Sequence, residues 1–255
     1  MTPEPTVALV TGGAKRIGRA IVEDLAANGF AVAIHCNRSR AEGEALLAHI
    51  QAQGGTGCVV EADLTDGHAV RRLATDVRKA LGPVQLLVNN ASVFQDDGIG
   101  GLADDHIWDR HFAIHVKAPV LLCDAMAALL PEGLNGLIVN IIDQRVWKLT
   151  PRFLSYTLSK AALWTATQTL AQALAPRIRV NGIGPGPTVA SDRQDKAAFE
   201  RQAGSLLLGH GPALPEFGRT IRYLWETRSI TGQMIALDGG QHLAWETADA
   251  MGLAE

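Results

Sequence analysis

The chain has 255 residues, 47% of them hydrophobic, a formal net charge of −3 and three cysteines. That length and apolar content suit one sizeable core in a single domain, and scattered lysines and arginines under a slight negative charge supply no basic field for nucleic acid. Cys36, Cys58 and Cys123 are odd in number and lack CxxC spacing, so neither a disulfide framework nor a metal site is expected and a reducing cytoplasm suits them.

The start "MTPEPTVALVTGG" shows no basic segment followed by a long apolar run. The apolar stretch from Ala118 to Leu130 is short for a bilayer and is interrupted by Asp124, so no membrane partner is expected. In chain order, Val7 to Val10 reads as a buried strand running through "TGGAKRIG" into a helix from Arg16 to Asn28. Gly12 permits a tight turn, Gly18 permits close packing, and the N–H groups of the helix start can hold a pyrophosphate. An ordinary strand-to-helix turn uses the same pattern. The second strand, Ala31 to Ile34, ends in "HCNRSR", where a fold that binds NAD places an Asp or Glu. No acid lies there. Arg38 and Ser39 stand at the strand end and Arg16 replaces a glycine in the first turn; guanidinium groups suit a 2′-phosphate, although solvated surface arginines are the alternative.

A helix from Arg40 to Gln53, a strand from Cys58 to Val60, a helix from His68 to Ala80 and a strand from Leu86 to Val88 follow. Asn89, Asn90, Ala91 and Ser92 then offer amides for loose backbone groups and space for a flat ligand, though a plain turn reads the same way. After the long helix Asp105 to Leu130 and the strand Leu137 to Ile142 comes Asp143, then a helix from Ser155 to Leu174 with Tyr156 and Lys160 four apart on one face. An ammonium beside a phenol favours phenolate and eases proton exchange; a solvated pair is the alternative. The strands Ile178 to Val180 and Met234 to Leu237 close the series, and residues 184–216 between them read as a loop-rich candidate lid. Continuously apolar strands alternating with helices describe a single Rossmann-type α/β fold, a doubly wound parallel sheet with helices on both faces.

In this order, and over nearly the whole chain, "TGGAKRIG", Asp63 after the third strand, "NNAS", "YTLSK", "RVNGIGPGPT" and "ITGQMIALDGG" resemble the short-chain dehydrogenase/reductase family. The resemblance implies that Tyr156 is the acid/base and that Lys160 binds the nicotinamide ribose and tunes the tyrosine. Asp143 stands where that family usually has a serine. His115 stands where it usually has an asparagine, which leaves the water-mediated proton path of that asparagine open. Arg16 in the turn, "HCNRS", "NNASVF" and Asp143 together resemble the pteridine reductases, including the bacterial dihydromonapterin reductases.

That likeness implies NADPH-dependent reduction of dihydropterins, with dihydrofolate as a further candidate, to their tetrahydro forms. Carried over, Gly12, Arg16, Ile17, His35, Asn37, Arg38, Ser39, Asp63, Leu64, Asn90, Ala91 and Ser92 would surround the cofactor with Tyr156 and Lys160, and Gly186 and Thr188 would lie near the nicotinamide and substrate. Phe94 would stack on the pterin, unless it is a core aromatic, and Ser92, Asp143 and Tyr156 would complete the substrate site. Reducing a C=N bond leaves a nitrogen that must acquire a proton, so a second acid at Asp143 has a use, and a carboxylate there, coupled to Tyr156, opposes Lys160 by disfavouring phenolate; capping local N–H groups is the plain alternative. The family likeness also implies a homotetramer formed through the two long helices. A general carbonyl or hydroxyl oxidoreductase and a redox-sensing NADPH-binding protein remain the competing functional readings.

Overall fold

Residues 5–100, 105–189 and 195–245 are described by the computed structural model. Their strands form one parallel sheet: β1 Val7–Val10, β2 Ala31–Cys36, β3 Gly57–Glu61, β4 Val84–Asn89, β5 Gly136–Ile141, β6 Ile178–Pro185 and β7 Met234–Leu237. The order is β3-β2-β1-β4-β5-β6-β7, and every neighbouring pair runs parallel. Successive residues of a strand point to opposite faces. Val7 and Leu9 of β1 therefore join one core with Leu87 and Ile138, while Ala8 and Val10 join a second with Val88 and Val139. Both faces are dry, which is why the strands read as unbroken apolar runs.

The helices are α1 Arg16–Ala27, α2 Arg40–Ala52, α3 Gly67–Leu81, α4 Asp105–Phe112, α5 Ala118–Leu129, α6 Leu154–Leu174, α7 Lys196–Gly204 and α8 Leu214–Glu226. The first core is covered by Val70, Leu73 and Val77 of α3 and by Leu122 and Met126 of α5. The second is covered by Ile21 and Leu25 of α1 and by Phe217, Ile221 and Leu224 of α8.

Two expectations change. The long helix is continuous from Asp105 to Leu129, long and apolar enough by composition to cross a membrane, so the short stretch from Ala118 understates it. Its apolar side chains at Ala118, Leu122, Cys123 and Met126 are spent on the core under the sheet. A π turn, Ala113–Lys117, divides it, with the Ala118 N–H reaching back to the Ala113 carbonyl. The expected loop at 184–216 contains α7 and the start of α8, and its residues 190–194 lie outside the described residues. α7 buries no residue and so carries no apolar stripe to announce it.

The chain builds outward from β1 to β3 and then returns to β4 on the other side. This reversal leaves a crevice between the carboxyl ends of β1 and β4, where open α/β sheets hold ligands.

Candidate active site

A cleft of about 400 Å³ occupies that crevice. Its floor is a knot of hydrogen bonds. Asn90 Nδ2 donates to the carbonyls of Thr11 and Gly12 at 2.9 and 3.1 Å, and the Asn90 and Ala91 N–H groups both donate to Thr11 Oγ1, at 2.9 and 3.0 Å. A Cβ on Gly18 would overlap the Gly12 carbonyl oxygen and come within 2.6 Å of Asn90 Nδ2, so glycine alone lets α1 begin this close to the knot. α1 starts with no side-chain cap and no acid in its first turn, which leaves its leading N–H groups to an anion.

His35, on β2, is buried beneath the turn: its Nδ1 accepts the Gly12 N–H and its Nε2–H donates to the Ala62 carbonyl, both at 3.1 Å. One fixed donor and one fixed acceptor select a single neutral tautomer. Burial lowers its pKa to about 4.

Gly12, Arg16, Ile17, His35, Asn37, Arg38, Leu64, Asn90, Ala91 and Ser92 all line the cleft. Ser39, Asp63, Gly186 and Thr188 are outside its lining. Ser39 stands at the N-cap of α2, and Thr188 Oγ1 donates to the Gly186 carbonyl at 3.0 Å. Asp63 folds back on the Thr65 N–H and hydroxyl, bonds that lead in lowering its pKa, with Arg110 and Arg38 adding to the effect. Arg110 and Ile114, absent from the sequence reading, also line the cleft; their i, i+4 spacing on the long helix was the available signal. Arg16 occupies φ 53, a left-handed conformation where glycine is at ease, and its Nη2 donates to the Val189 carbonyl at 2.9 Å.

Ser92 links this cleft to a second cluster, since its hydroxyl bonds the buried His115 at 2.9 Å and stands near enough to the buried Tyr156 to pull its pKa down. Tyr156 Oη donates to Asp143 Oδ2 at 2.9 Å, and Asp143 Oδ1 accepts the Arg145 N–H at 2.8 Å. Asp143 is thus a local cap and a partner of the phenol at once. Lys160 Nζ donates to the Ile141 carbonyl at 2.8 Å. Burial lowers the Lys160 pKa to about 8 despite the nearby Asp143 carboxylate.

Of the two opposed effects expected on the phenol, Lys160 favouring phenolate and Asp143 disfavouring it, the second prevails in this geometry. Burial, and then Asp143, hold the Tyr156 pKa well above its ordinary value, against weaker downward pulls from Arg145 and Ser92. The carboxylate touches the phenol directly, whereas the ammonium lies 5.7 Å from the ring centre and spends a donor on a backbone carbonyl.

α6, which carries Tyr156 and Lys160, has no local side-chain cap. The buried Asp97 substitutes from the loop after β4, accepting the Ser155 N–H at 3.1 and 3.2 Å. Two buried histidines tie the same loop to the same helix. His111 accepts the Gln95 N–H at 3.3 Å and donates to Ser155 Oγ at 2.6 Å; His115 accepts the Val93 N–H at 3.2 Å and donates to Ser159 Oγ at 2.9 Å. His115 is therefore a neutral clip, and burial first and Lys160 second lower its pKa strongly. Phe94, between the two clipped residues, is 46% exposed, stacks on Phe153 at 4.2 Å and meets Tyr156 edge-on at 4.8 Å. It is a mouth residue, and the core reading of Phe94 falls away.

A doubly wound parallel sheet with a nucleotide-sized crevice at its switch point, and a buried tyrosine, lysine and carboxylate beside it, defines a dinucleotide-type oxidoreductase scaffold. A family model described as short chain dehydrogenase matches residues 6–201. The crystal structure of FolM alternative dihydrofolate reductase 1 from Brucella canis, complexed with NADP, is 65% identical, with a TM-score of 0.93 and 96% of each chain covered. Dihydromonapterin reductase from Klebsiella pneumoniae subsp. pneumoniae is 28% identical over 94% of this chain and 98% of its own. A 3-oxoacyl acyl-carrier-protein reductase from Synechocystis is 29% identical over 92% of this chain and 96% of its own. The chain belongs to the short-chain dehydrogenase family, and its greater likeness to the alternative dihydrofolate reductase places it with the pteridine-reductase-like members.

Proposed function

We propose that residues 1–255 form a single NADPH-binding domain that reduces dihydropterin-type substrates, dihydrofolate among them, to the tetrahydro form. The observation that carries this reading is the Tyr156–Asp143 hydrogen bond, in a chain 65% identical to an alternative dihydrofolate reductase. The cleft fits NADPH. Its helix start is uncapped and acid-free, Gly18 leaves room for close approach, and Arg16, Arg38 and Arg110 gather positive charge at the rim. Arg16, Arg38 and Ser39 would hold the 2′-phosphate end; Gly12, Ile17, His35, Asn37, Asp63, Leu64, Asn90, Ala91 and Ser92 would complete the wall, and Lys160, Tyr156, Gly186 and Thr188 would face the nicotinamide. The chemistry NADPH supplies when bound is delivery of a hydride to the substrate carbon.

The chain's own part is the proton. Reduction of a C=N bond charges the ring nitrogen, and Tyr156, held protonated, offers its proton along the hydrogen bond to Asp143. Asp143 relays it to the nitrogen as a coupled partner of the phenol. Phe94 stacks on the pterin, and the clips from His111 and His115 hold it in place. Cytoplasmic location and a homotetramer built on α4, α5 and α6 complete the proposal. The 3-oxoacyl relative keeps a general carbonyl reductase as the second reading.

NADPH oxidation measured with a dihydropterin, dihydrofolate and a panel of ketones separates these readings. Turnover on ketones alone would favour the second, and none at all would favour a redox-sensing role. Asp143→Ser is expected to keep the fold and NADPH affinity, to lose about tenfold or more of dihydropterin turnover and to flatten the acid side of the pH profile. An unchanged rate and profile would leave Asp143 as a cap alone.

A further inference from the structure

Arg145 follows Asp143 by two residues, on the 3-10 turn Gln144–Val146, and its backbone N–H is fixed to the Asp143 carboxylate. Its guanidinium carbon lies 5.5 Å from the centre of the Phe94 ring, 5.2 Å from Phe153 and 5.8 Å from Tyr156. Its Nε and Nη1 atoms are buried and have no hydrogen-bond partner. Aromatic faces attract the charge of a guanidinium but do not accept its in-plane N–H groups. A charged donor kept dry and unpaired is unfavourable, so the protein holds unspent donors beside its reaction centre. Phe153, one wall of this cage, is held at φ 56, a left-handed conformation that a phenylalanine rarely adopts.

We propose that Arg145, with the Phe94 and Phe153 rings, forms a subsite for an oxygen acceptor carried by the substituent at C6 of the pterin. This inference rests on the pterin reading above. The reacting N5=C6 bond of a 7,8-dihydropterin is flanked by the pyrimidinone ring on one side and by the C6 substituent on the other. The cleft side of Tyr156 offers Ser92, a polar group suited to the pyrimidinone edge. Arg145 is not among the residues lining that cleft and lies instead beside the exposed Phe94, on the side where the trailing substituent would leave the site. A hydroxyl of a short polyol chain and the benzoyl or carboxylate oxygen of a folate tail both offer the acceptor that Arg145 lacks, and the aromatic stack adds a platform for the folate ring.

The test is steady-state kinetics at saturating NADPH for wild type, Arg145→Gln and Arg145→Lys on 6-methyl-7,8-dihydropterin, 7,8-dihydrobiopterin and 7,8-dihydrofolate. Fluorescence titration of the NADP-loaded protein with folate gives a readout independent of turnover. In Arg145→Gln, KM for the acceptor-bearing substrates and Kd for folate should rise about tenfold or more, with KM for the 6-methyl compound changed less than about twofold, while any change in kcat from losing the charge beside Tyr156 should be common to all three substrates. Arg145→Lys, which keeps the charge and loses the planar donors, should fall between and serves as the deciding variant if the glutamine form does not fold. A larger effect on dihydrofolate than on dihydrobiopterin identifies the folate tail as the preferred source of the acceptor; the reverse identifies the polyol. Equal shifts in KM on all three substrates would place Arg145 on the ring, no shift would reduce it to packing, and either result overturns the inference while leaving the pterin reading intact. Failure of the wild type to reduce any of the three would overturn both.

Discussion

The two halves of the active site are built by different means. The cofactor cleft is made at strand ends, where the Thr11 and Asn90 side chains bond the backbone of Thr11, Gly12, Asn90 and Ala91 and Gly18 packs against them. The substrate side is made of side chains brought from separate segments: Phe94 and Asp97 from one loop, Asp143 and Arg145 from another, Phe153 from the turn before α6. Among the described residues, the two non-glycine residues with left-handed φ are Arg16 and Phe153, one in each half. The difference teaches that the cofactor half is fixed by side chains bonded to backbone at strand ends, whereas the substrate half depends on side chains meeting one another from separate loops.

Tyr156 stands where the halves meet, so its removal is the sharpest way to separate them. Tyr156→Phe keeps the ring and loses the proton, and turnover should fall about a hundredfold or more while NADPH binds as before. Stopped-flow turnover with fluorescence titration of NADPH reads both, and near-normal turnover would break the assignment. Arg38→Ala touches only the cofactor half. The preference for NADPH over NADH in kcat/KM should shrink by about tenfold to a hundredfold, the range that loss of one charged hydrogen bond spans, while KM for the pterin stays put.

The smallest effect is on stability. Lys160 has a folded pKa of about 8 against an ordinary lysine value of 10.5. Between those values the unfolded chain binds a proton that the folded one does not, so stability rises with pH there and the buried ammonium costs most below about pH 8. Lys160→Met should therefore raise the Tm of the cofactor-free protein at neutral pH by a few degrees, worth about 1–2 kcal/mol, while abolishing turnover. Thermal melts at several pH values should show that gain shrinking as pH climbs from about 8 toward 10.5, and a gain independent of pH would assign it to packing.

The same contrast explains what the sequence made visible. Strands buried on both faces leave unbroken apolar runs, and the cofactor turn is a local motif whose glycines and asparagines are read in place. α8 was missed although Phe217, Ile221 and Leu224 keep helical spacing, because the loop-rich stretch before it masked the start. α7 left no such pattern. On the substrate side, Asp143 and Tyr156 were legible as a departure from a family pattern, whereas Asp97, Arg145 and Phe153 have no spacing that connects them. The opposed pulls of Lys160 and Asp143 on Tyr156 were legible, but which of them wins depends on which charge touches the phenol, and only the fold decides that.

His35, His111 and His115 serve both halves in one manner, each accepting a backbone N–H from a loop of the site with one ring nitrogen and donating with the other. Burial is the leading cause of the lowered pKa of all three, to about 4 for His35. An unfolded histidine takes up a proton near pH 6.5, and these folded rings refuse it, so their contribution is whole above about that pH and drains away as pH falls toward the folded values. Protonation of any of them turns an acceptor into a donor facing an N–H group. Acidification thus attacks the fastenings of both the nucleotide turn and the Phe94 loop together, and the catalytic apparatus carries its own lower limit of habitable pH.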